Sequence, residues 1–229
     1  MKKIIAIDGP SGSGKSTISR LLSKELNLLY LDTGAMYRAV ALQAKRMDID
    51  FNDGKKLNEL CRNLDLHFKN DGKSTKLYIG KEDISLAIRS PDIDMLSSRI
   101  SAIKEVREAM TRLQREIGKE RRMVAEGRDM GTVVFPDADF KFFVTASSEI
   151  RAERRYKERI GRGESISKTE VERALRRRDL QDETRPIAPL RPANDAQLID
   201  TTTLNPNQVV EKILMRLKKR ERLKRIPAL

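Results

Sequence analysis

An α/β fold built on a parallel sheet covered on both faces is predicted by three observations. The chain opens on a short apolar run, Lys3-Ile4-Ile5-Ala6-Ile7-Asp8, the mark of a strand buried on both sides. That run leads straight into Gly9-Pro10-Ser11-Gly12-Ser13-Gly14-Lys15-Ser16-Thr17, in which Gly9 to Ser16 fit the phosphate-loop pattern G-x-x-x-x-G-K-[ST]. Further strand-like runs then alternate with segments of helical period along the chain.

The glycine-rich stretch carries the first chemical expectation. Its three glycines let the backbone wrap tightly enough for N–H groups to point at a polyphosphate. Lys15 is placed to reach the β- and γ-phosphates, and the Ser16 hydroxyl to ligate Mg²⁺. Ile18, Leu21, Leu22 and Leu26 continue at helical spacing, so a helix N-terminus also faces the anion. A flexible Gly/Ser turn could match the pattern by accident; the strand before it and the amphipathic helix after it argue for nucleoside triphosphate binding.

Composition narrows the class. With 229 residues the chain can bury a real core, and a 35% charged fraction with mean hydropathy of −0.57 suits long exposed helix faces. No stretch approaches a membrane span or a secretory signal, and the single Cys61 has neither a disulfide partner nor zinc-ligand companions. A cytoplasmic protein is expected. His67 is the sole histidine and reads as a surface residue on a strand, which leaves little room for a histidine-based triad. The net charge of +13 raises nucleic acid as a partner, but aromatics at 4% and the lack of Trp supply no stacking platform. A chain gripping two phosphorylated ligands would be equally basic.

After the loop helix, Leu28–Leu31 reads as a second buried strand ending in Asp32-Thr33-Gly34-Ala35-Met36-Tyr37-Arg38, with Thr33 as the expected cap of a helix to about Met47. Arg38 near the start of that helix opposes the dipole unless an anion is near; an exposed arginine without a partner is the other reading. Leu57–Leu64 reads as a helix with Cys61 half-buried. Leu64–Phe68 and Lys76–Ile79 alternate around Asn70-Asp71-Gly72 as a hairpin, with Glu82–Ser85 as a third short strand. Pro91 opens one long helical segment with Met95, Ile103, Val106, Met110, Leu113 and Ile117 as its apolar stripe, and with Ser98 and Arg107 on it.

Met123-Val124-Ala125 is a brief strand leading into Glu126-Gly127-Arg128-Asp129-Met130-Gly131-Thr132, the strand-end position at which open α/β sheets build sites. Asp139–Val144 is another strand. Ser147 or Ser148 caps the next helix, whose Arg151, Arg154, Arg155 and Arg159 share one face; a solvated basic face balanced by Glu153 and Glu158 explains the same spacing. Gly161-Arg162-Gly163 breaks that helix. A helix from about Ser167 places Arg178, Asp182 and Arg185 on one face before Pro186 ends it. Gln197–Asp200 reads as the last strand and Asn205 to about Arg225 as a final helix with a solvated Lys218–Arg225 end.

On Ile7–Thr17, Leu31–Arg38, Glu126–Pro136 and Ile187-Ala188-Pro189-Leu190, nearly end to end, the chain resembles the bacterial cytidylate kinases of the nucleoside monophosphate kinase family. The resemblance implies a single P-loop kinase domain with a five-stranded parallel sheet flanked by helices. The core would span about 1–33, 120–150 and 186–229. A mobile monophosphate-binding region would span about 34–119, with a small β insertion at about 64–88, and an arginine-bearing lid about 151–170. It implies ATP as donor, CMP or dCMP as acceptor, Mg²⁺ as cofactor, and a monomer needing neither membrane nor nucleic acid.

Residue by residue, the resemblance implies that the loop from Gly9 to Thr17 holds ATP, with Lys15 acting on the transferred phosphoryl group, Ser16 on the metal and Arg154 as a lid arginine. Arg38, Arg128, Arg178 and Arg185 match ligands of the CMP phosphate. Ser98, with Ser97 as the neighbouring alignment, Arg107 and Asp129 match positions facing cytosine, Asp182 the one facing the sugar, and Thr33 a further substrate contact. Glu126 stands where many relatives have Asp. A kinase of another acceptor such as UMP, and a non-enzymatic or nucleic-acid-linked ATP-binding protein, remain alternatives at this stage.

Overall fold

The computed structural model describes residues 3–70, 75–119 and 121–223. In chain order the elements are β1 (Ile4–Asp8), α1 (Lys15–Glu25), β2 (Leu29–Asp32), α2 (Thr33–Arg46), α3 (Gly54–Asn63), β3 (Leu66–Asn70), β4 (Thr75–Ile79), β5 (Glu82–Asp83), α4 (Pro91–Ile100), α5 (Lys104–Gly118), β6 (Met123–Gly127), β7 (Phe140–Thr145), α6 (Ser148–Ile160), α7 (Lys168–Thr184), β8 (Gln197–Asp200) and α8 (Pro206–Leu223). A 3₁₀ turn at Ala87–Arg89 precedes α4, and a π-helical turn at Met130–Val134 follows β6.

The chain divides into two compact units. The first comprises Met1–Tyr30, Arg122–Thr184 and Ala188–Leu229. It carries the expected five-stranded parallel sheet, in the order β2-β6-β1-β7-β8. All five residues of β1 and of β6 are buried, as central parallel strands require. Ile5 and Ile7, two apart on β1, share a face with Val124, Phe142, Val144 and Ile199, and α1 and α8 cover it with Ile18, Leu22, Val209, Ile213 and Leu217. That packing fixes the strand ends against which the phosphate loop is laid.

The second unit comprises Leu31–Arg121 and Arg185–Ile187. In it α2 packs on α4 and α3 on α5, and β3-β4-β5 form a small antiparallel sheet. The hairpin strands are therefore present, and of the expected turn Asn70 closes β3 while Asp71 and Gly72 lie outside the described residues. His67 is on β3, stacked on Tyr78 with ring centroids 5.7 Å apart.

Four local expectations are corrected. Asp32, not Thr33, caps α2: its carboxylate accepts from the Ala35 N–H at 2.9 Å, and Thr33 is already the first helical residue. The single helix expected after Pro91 is two, because Ile103 adopts an extended backbone (φ −77°, ψ 126°) and restarts the chain as α5. With the break, Met95 falls on the exposed side, and Ile93, Ser97 and Ile100 make the inner face of α4. Cys61 is fully rather than half-buried, and burial pushes its thiol up to about 12. At the other end of the chain, Lys218 and Lys219 are exposed; the side chains beyond them lie outside the described residues.

Candidate active site

The phosphate loop joins β1 to α1 and is held from outside. Gly9 has φ of +153°, and a β-carbon there would stand 2.0 Å from the Val144 carbonyl oxygen; Gly12 (φ +76°) packs against the backbone of Arg151 with the same intolerance, at 2.7 Å. Two of the loop's carbonyls meet donors from outside it. Arg151 Nη1 donates to Ser11 O at 3.2 Å, Arg154 Nη1 reaches Ser13 O at 3.5 Å, and the Thr201 hydroxyl donates to Ser13 O at 3.0 Å. Gly14 caps α1 in the left-handed conformation with no side chain satisfying the first-turn N–H groups. A helix start without a side-chain cap, at the end of a loop with two of its carbonyls engaged elsewhere, is a receptor for an anion.

Buried charge gathers beside it. Lys15 is 8% exposed, donates to Pro10 O at 3.0 Å, and has its pKa lowered to about 7. Burial is the largest cause; Arg128 and Arg178 add repulsion, and Glu126 and Asp182 offset part of it. Arg128 Nε donates to Asp182 Oδ2 at 2.7 Å, with Asp182 itself 4% exposed. Burial disfavours the Arg128 charge, but Asp182, Glu126 and Asp179 outweigh it and raise the pKa. The Tyr30 hydroxyl donates to Glu126 Oε1, turning that carboxylate into a fixed group at the end of β6. Lys15, Arg128 and Arg178 are thus close enough to repel one another, an arrangement that an added polyanion would relieve.

The turn after β6 is shaped by its own backbone and by Asp8. Asp129 O accepts from the Val133 and Val134 N–H groups at 2.9 and 3.1 Å, and the Asp129 residue is 3% exposed. Asp8 takes the next two N–H groups, one on each oxygen: Met130 N to Oδ1 and Gly131 N to Oδ2, both at 2.8 Å. Burial, which the two backbone bonds only partly counter, pushes the Asp8 carboxyl up to about 7.

In the second unit Thr33 is 2% exposed in the first turn of α2. Arg38 Nε meets Asp94 Oδ1 of α4 at 3.3 Å. Arg107, 3% exposed, donates from Nη1 to Ser101 O at 3.1 Å and lies 5.8 Å from the Tyr37 ring centre. Ser97 is buried, its hydroxyl donating to Asp94 O, while Ser98 is only partly buried. Arg185 is 7% exposed at the end of the segment after α7.

A sequence profile of the cytidylate kinase family matches residues 5–219. The chain belongs to the cytidylate kinase family. It is 49% identical over 220 residues to a cytidylate kinase of Citrifermentans bemidjiense, covering 96% of this chain and 94% of that one. It is 47% identical over 219 residues to a cytidylate kinase of Geobacter sulfurreducens, with the same coverages. A crystal structure of an uncharacterized protein from Eubacterium ventriosum covers 94% of this chain at a TM-score of 0.50 and 13% identity, a likeness of fold alone. Membership of the family makes the chain an ATP-dependent nucleoside monophosphate kinase.

Of the residues that resemblance to the cytidylate kinases singles out, the first unit brings Lys15, Arg128, Arg178 and Asp182 into one electrostatic cluster. Arg154 is wired to Ser13 O and to Thr201, whose carbonyl accepts from its Nη2 at 2.7 Å. Thr33, Arg38, Ser98, Arg107 and Arg185 belong to the second unit. Sequence reasoning gave no site role to Asp8, Tyr30, Arg151, Asp179 or Thr201. For Asp8 and Thr201 a signal was present, since each stands at or next to the carboxyl end of a strand, whereas Tyr30 lies inside β2 and carried none. For Arg151, whose Nη1 also meets Asp179 at 2.6 Å, the shared helix face was visible but not which of its arginines reaches the loop.

Proposed function

We propose that this member of the cytidylate kinase family transfers the γ-phosphoryl group of ATP to CMP or dCMP, giving CDP or dCDP. The observation that carries the reading is the group of cations beside an anion-receptive loop, buried Lys15 with partly buried Arg128 and Arg178. Phosphoryl transfer needs positioning and charge neutralisation more than proton chemistry. The attacking oxygen of CMP already belongs to an anion, so no general base is required. What must be overcome is the repulsion between two polyanions.

The loop from Gly9 to Thr17 cradles the ATP phosphates, and Lys15 follows the γ-phosphoryl group as charge develops on it. Arg38, Arg128, Arg178 and Arg185 are assigned to the CMP phosphate; Ser98, Arg107 and Asp129 to cytosine; Asp182 to the sugar; and Thr33 to a further substrate contact. Arg154 is assigned to the donor nucleotide. Mg²⁺ supplies charge neutralisation on the donor phosphates when bound, and the residues present fit it. The Ser16 hydroxyl lies in the first turn of α1, partly exposed. No group of three or more His, Cys, Asp or Glu side chains forms a metal cage among the described residues, as suits an ion carried mainly by phosphate and water. Glu126 is a candidate partner for that hydration shell.

No described helix is long and apolar enough to cross a membrane. The reading is of a cytoplasmic monomer acting on free nucleotides. A panel measuring diphosphate formation from CMP, dCMP, UMP, AMP and GMP with ATP tests the reading. CDP formation is expected to dominate; turnover of another acceptor, or of none, overturns it.

A further inference from the structure

Asp8 has no place in the mechanism above, yet it occupies a junction. Its backbone runs directly into Gly9 and the ATP-binding loop, and its register partner on β6 is Gly127, the residue before Arg128. Its side chain crosses to the next strand and clamps Met130 and Gly131, the residues that follow Asp129. A β-carbon on Gly131 would stand 3.4 Å from Asp8 Oδ2 on one side and 3.2 Å from Lys141 Cδ on the other. The Lys141 ammonium is drawn away to Asp195 at 2.8 Å, so its stem braces the turn while its charge leaves the Asp8 carboxylate to the two N–H groups. Keeping a carboxylate buried at such a point costs stability, and two backbone bonds do not hold a strand together that needs no help: β1 and β6 are already paired throughout.

We propose that Asp8 is a positioning residue that sets the Arg128-Asp129 pair relative to the phosphate loop, by fixing the backbone immediately after that pair. This rests on Arg128 and Asp129 being ligands of the monophosphate. The acceptor therefore loses more than the donor when the clamp is broken, even though Asp8 adjoins the donor loop in sequence.

The experiment is steady-state kinetics on wild type, Asp8→Asn, Gly131→Ala and Arg128→Ala, with CMP and ATP varied in turn. Asp8→Asn keeps the volume but presents an NH₂ where one carboxylate oxygen accepted. It is expected to raise KM for CMP by about tenfold or more while KM for ATP stays within about threefold. Gly131→Ala crowds the same turn against the Lys141 stem, 3.2 Å away, and should show a smaller shift of the same pattern; it decides the matter alone if Asp8→Asn does not fold. An equal or larger rise in KM for ATP, or no change in either, overturns the proposal. Arg128→Ala separates the two layers. If it leaves KM for CMP unchanged, the ligand assignment fails. If it raises KM for CMP while Asp8→Asn does not, only the positioning role fails.

Discussion

Two arginine-rich regions of the first unit look alike in sequence and behave differently in space. Beside the phosphate loop, Lys15 is buried and its acidic neighbours only partly balance burial and the repulsion from Arg128 and Arg178, while partly buried Arg128 is held charged by Asp182. On α6 and the turn after it, the remaining arginines pair locally: Arg155 with Glu158 at 2.9 Å, Arg162 with Glu158, and Arg159 with Glu164 at 2.6 Å. The inner pair, Arg151 and Arg154, instead serves loop carbonyls. Charge count is thus a poor guide to which cations act on a ligand. Desolvation and incomplete neutralisation distinguish them, because an unbalanced buried cation gains most when an anion arrives.

The comparison breaks most visibly at Lys15. Lys15→Ala is expected to lower kcat on the order of 10²-fold or more, since the lost contact acts on developing charge; near-normal turnover would remove Lys15 from the transition state. Asp129→Ala comes next. Cytosine offers an amino donor where uracil offers a carbonyl acceptor, so the CMP-over-UMP preference in kcat/KM should narrow by roughly 1–3 kcal/mol. Equal losses for the two substrates would make Asp129 a turn former only.

A third measurement reads protons rather than rate. Because burial and the neighbouring arginines lower the Lys15 pKa in the ligand-free protein, binding of a triphosphate, which favours the charged form, is expected to draw a proton onto it at pH 8. Calorimetry of ATP binding at pH 8 in buffers of different ionisation enthalpy should show net uptake, absent in Lys15→Met. Zero uptake in wild type contradicts the lowered value. The smallest effect belongs to Arg155 of α6: Arg155→Ala should leave kcat and both KM values within about twofold, as expected for a partly exposed pair three residues apart on one helix. A large change in KM for ATP would move that residue into the site.

The same two titrations shape stability, with opposite signs. The Lys15 pKa falls from 10.5 to about 7 on folding, so between those values the unfolded chain binds more protons and stability rises with pH. The Asp8 carboxyl rises from 3.8 to about 7, so between those values the folded chain binds more and stability falls as pH rises. For these two groups together, neutral pH is the least favourable point, where both are being charged against burial.

Most of the fold was legible because its signals are local. A five-residue apolar run, a glycine pattern and helical spacing each act within a few residues, and β1, the loop and α1 stand where they were expected. The misplaced features are those decided by tertiary contact or by competition between neighbours. Asp32 rather than Thr33 is the cap because the backbone is still extended at Asp32 and already helical at Thr33, which sets the Asp32 carboxylate on the Ala35 N–H. The break at Ile103 left no Pro or Gly to mark it. In the site, the residues that resemble family ligands were visible as types, whereas the clamp by Asp8 joins positions 122 or more residues apart and has no sequence period at all.

The tight seat of Gly9 bears on how this surface tolerates genetic drift. Its missing side chain is matched to the Val144 carbonyl, and the next residues along β7, Thr145 to Ser147, carry the chain into α6. Thr145 O also lies 3.0 Å from the Thr201 hydroxyl that holds Ser13. An alanine at position 9 would therefore do more than stiffen a loop. It would push the end of β7, and with it the root of the arginine helix and the Thr201 brace, so one methyl group would disturb three supports of the phosphate loop at once. Relief by a single second change is hard to arrange from such a position, because the clash is with backbone that cannot be trimmed.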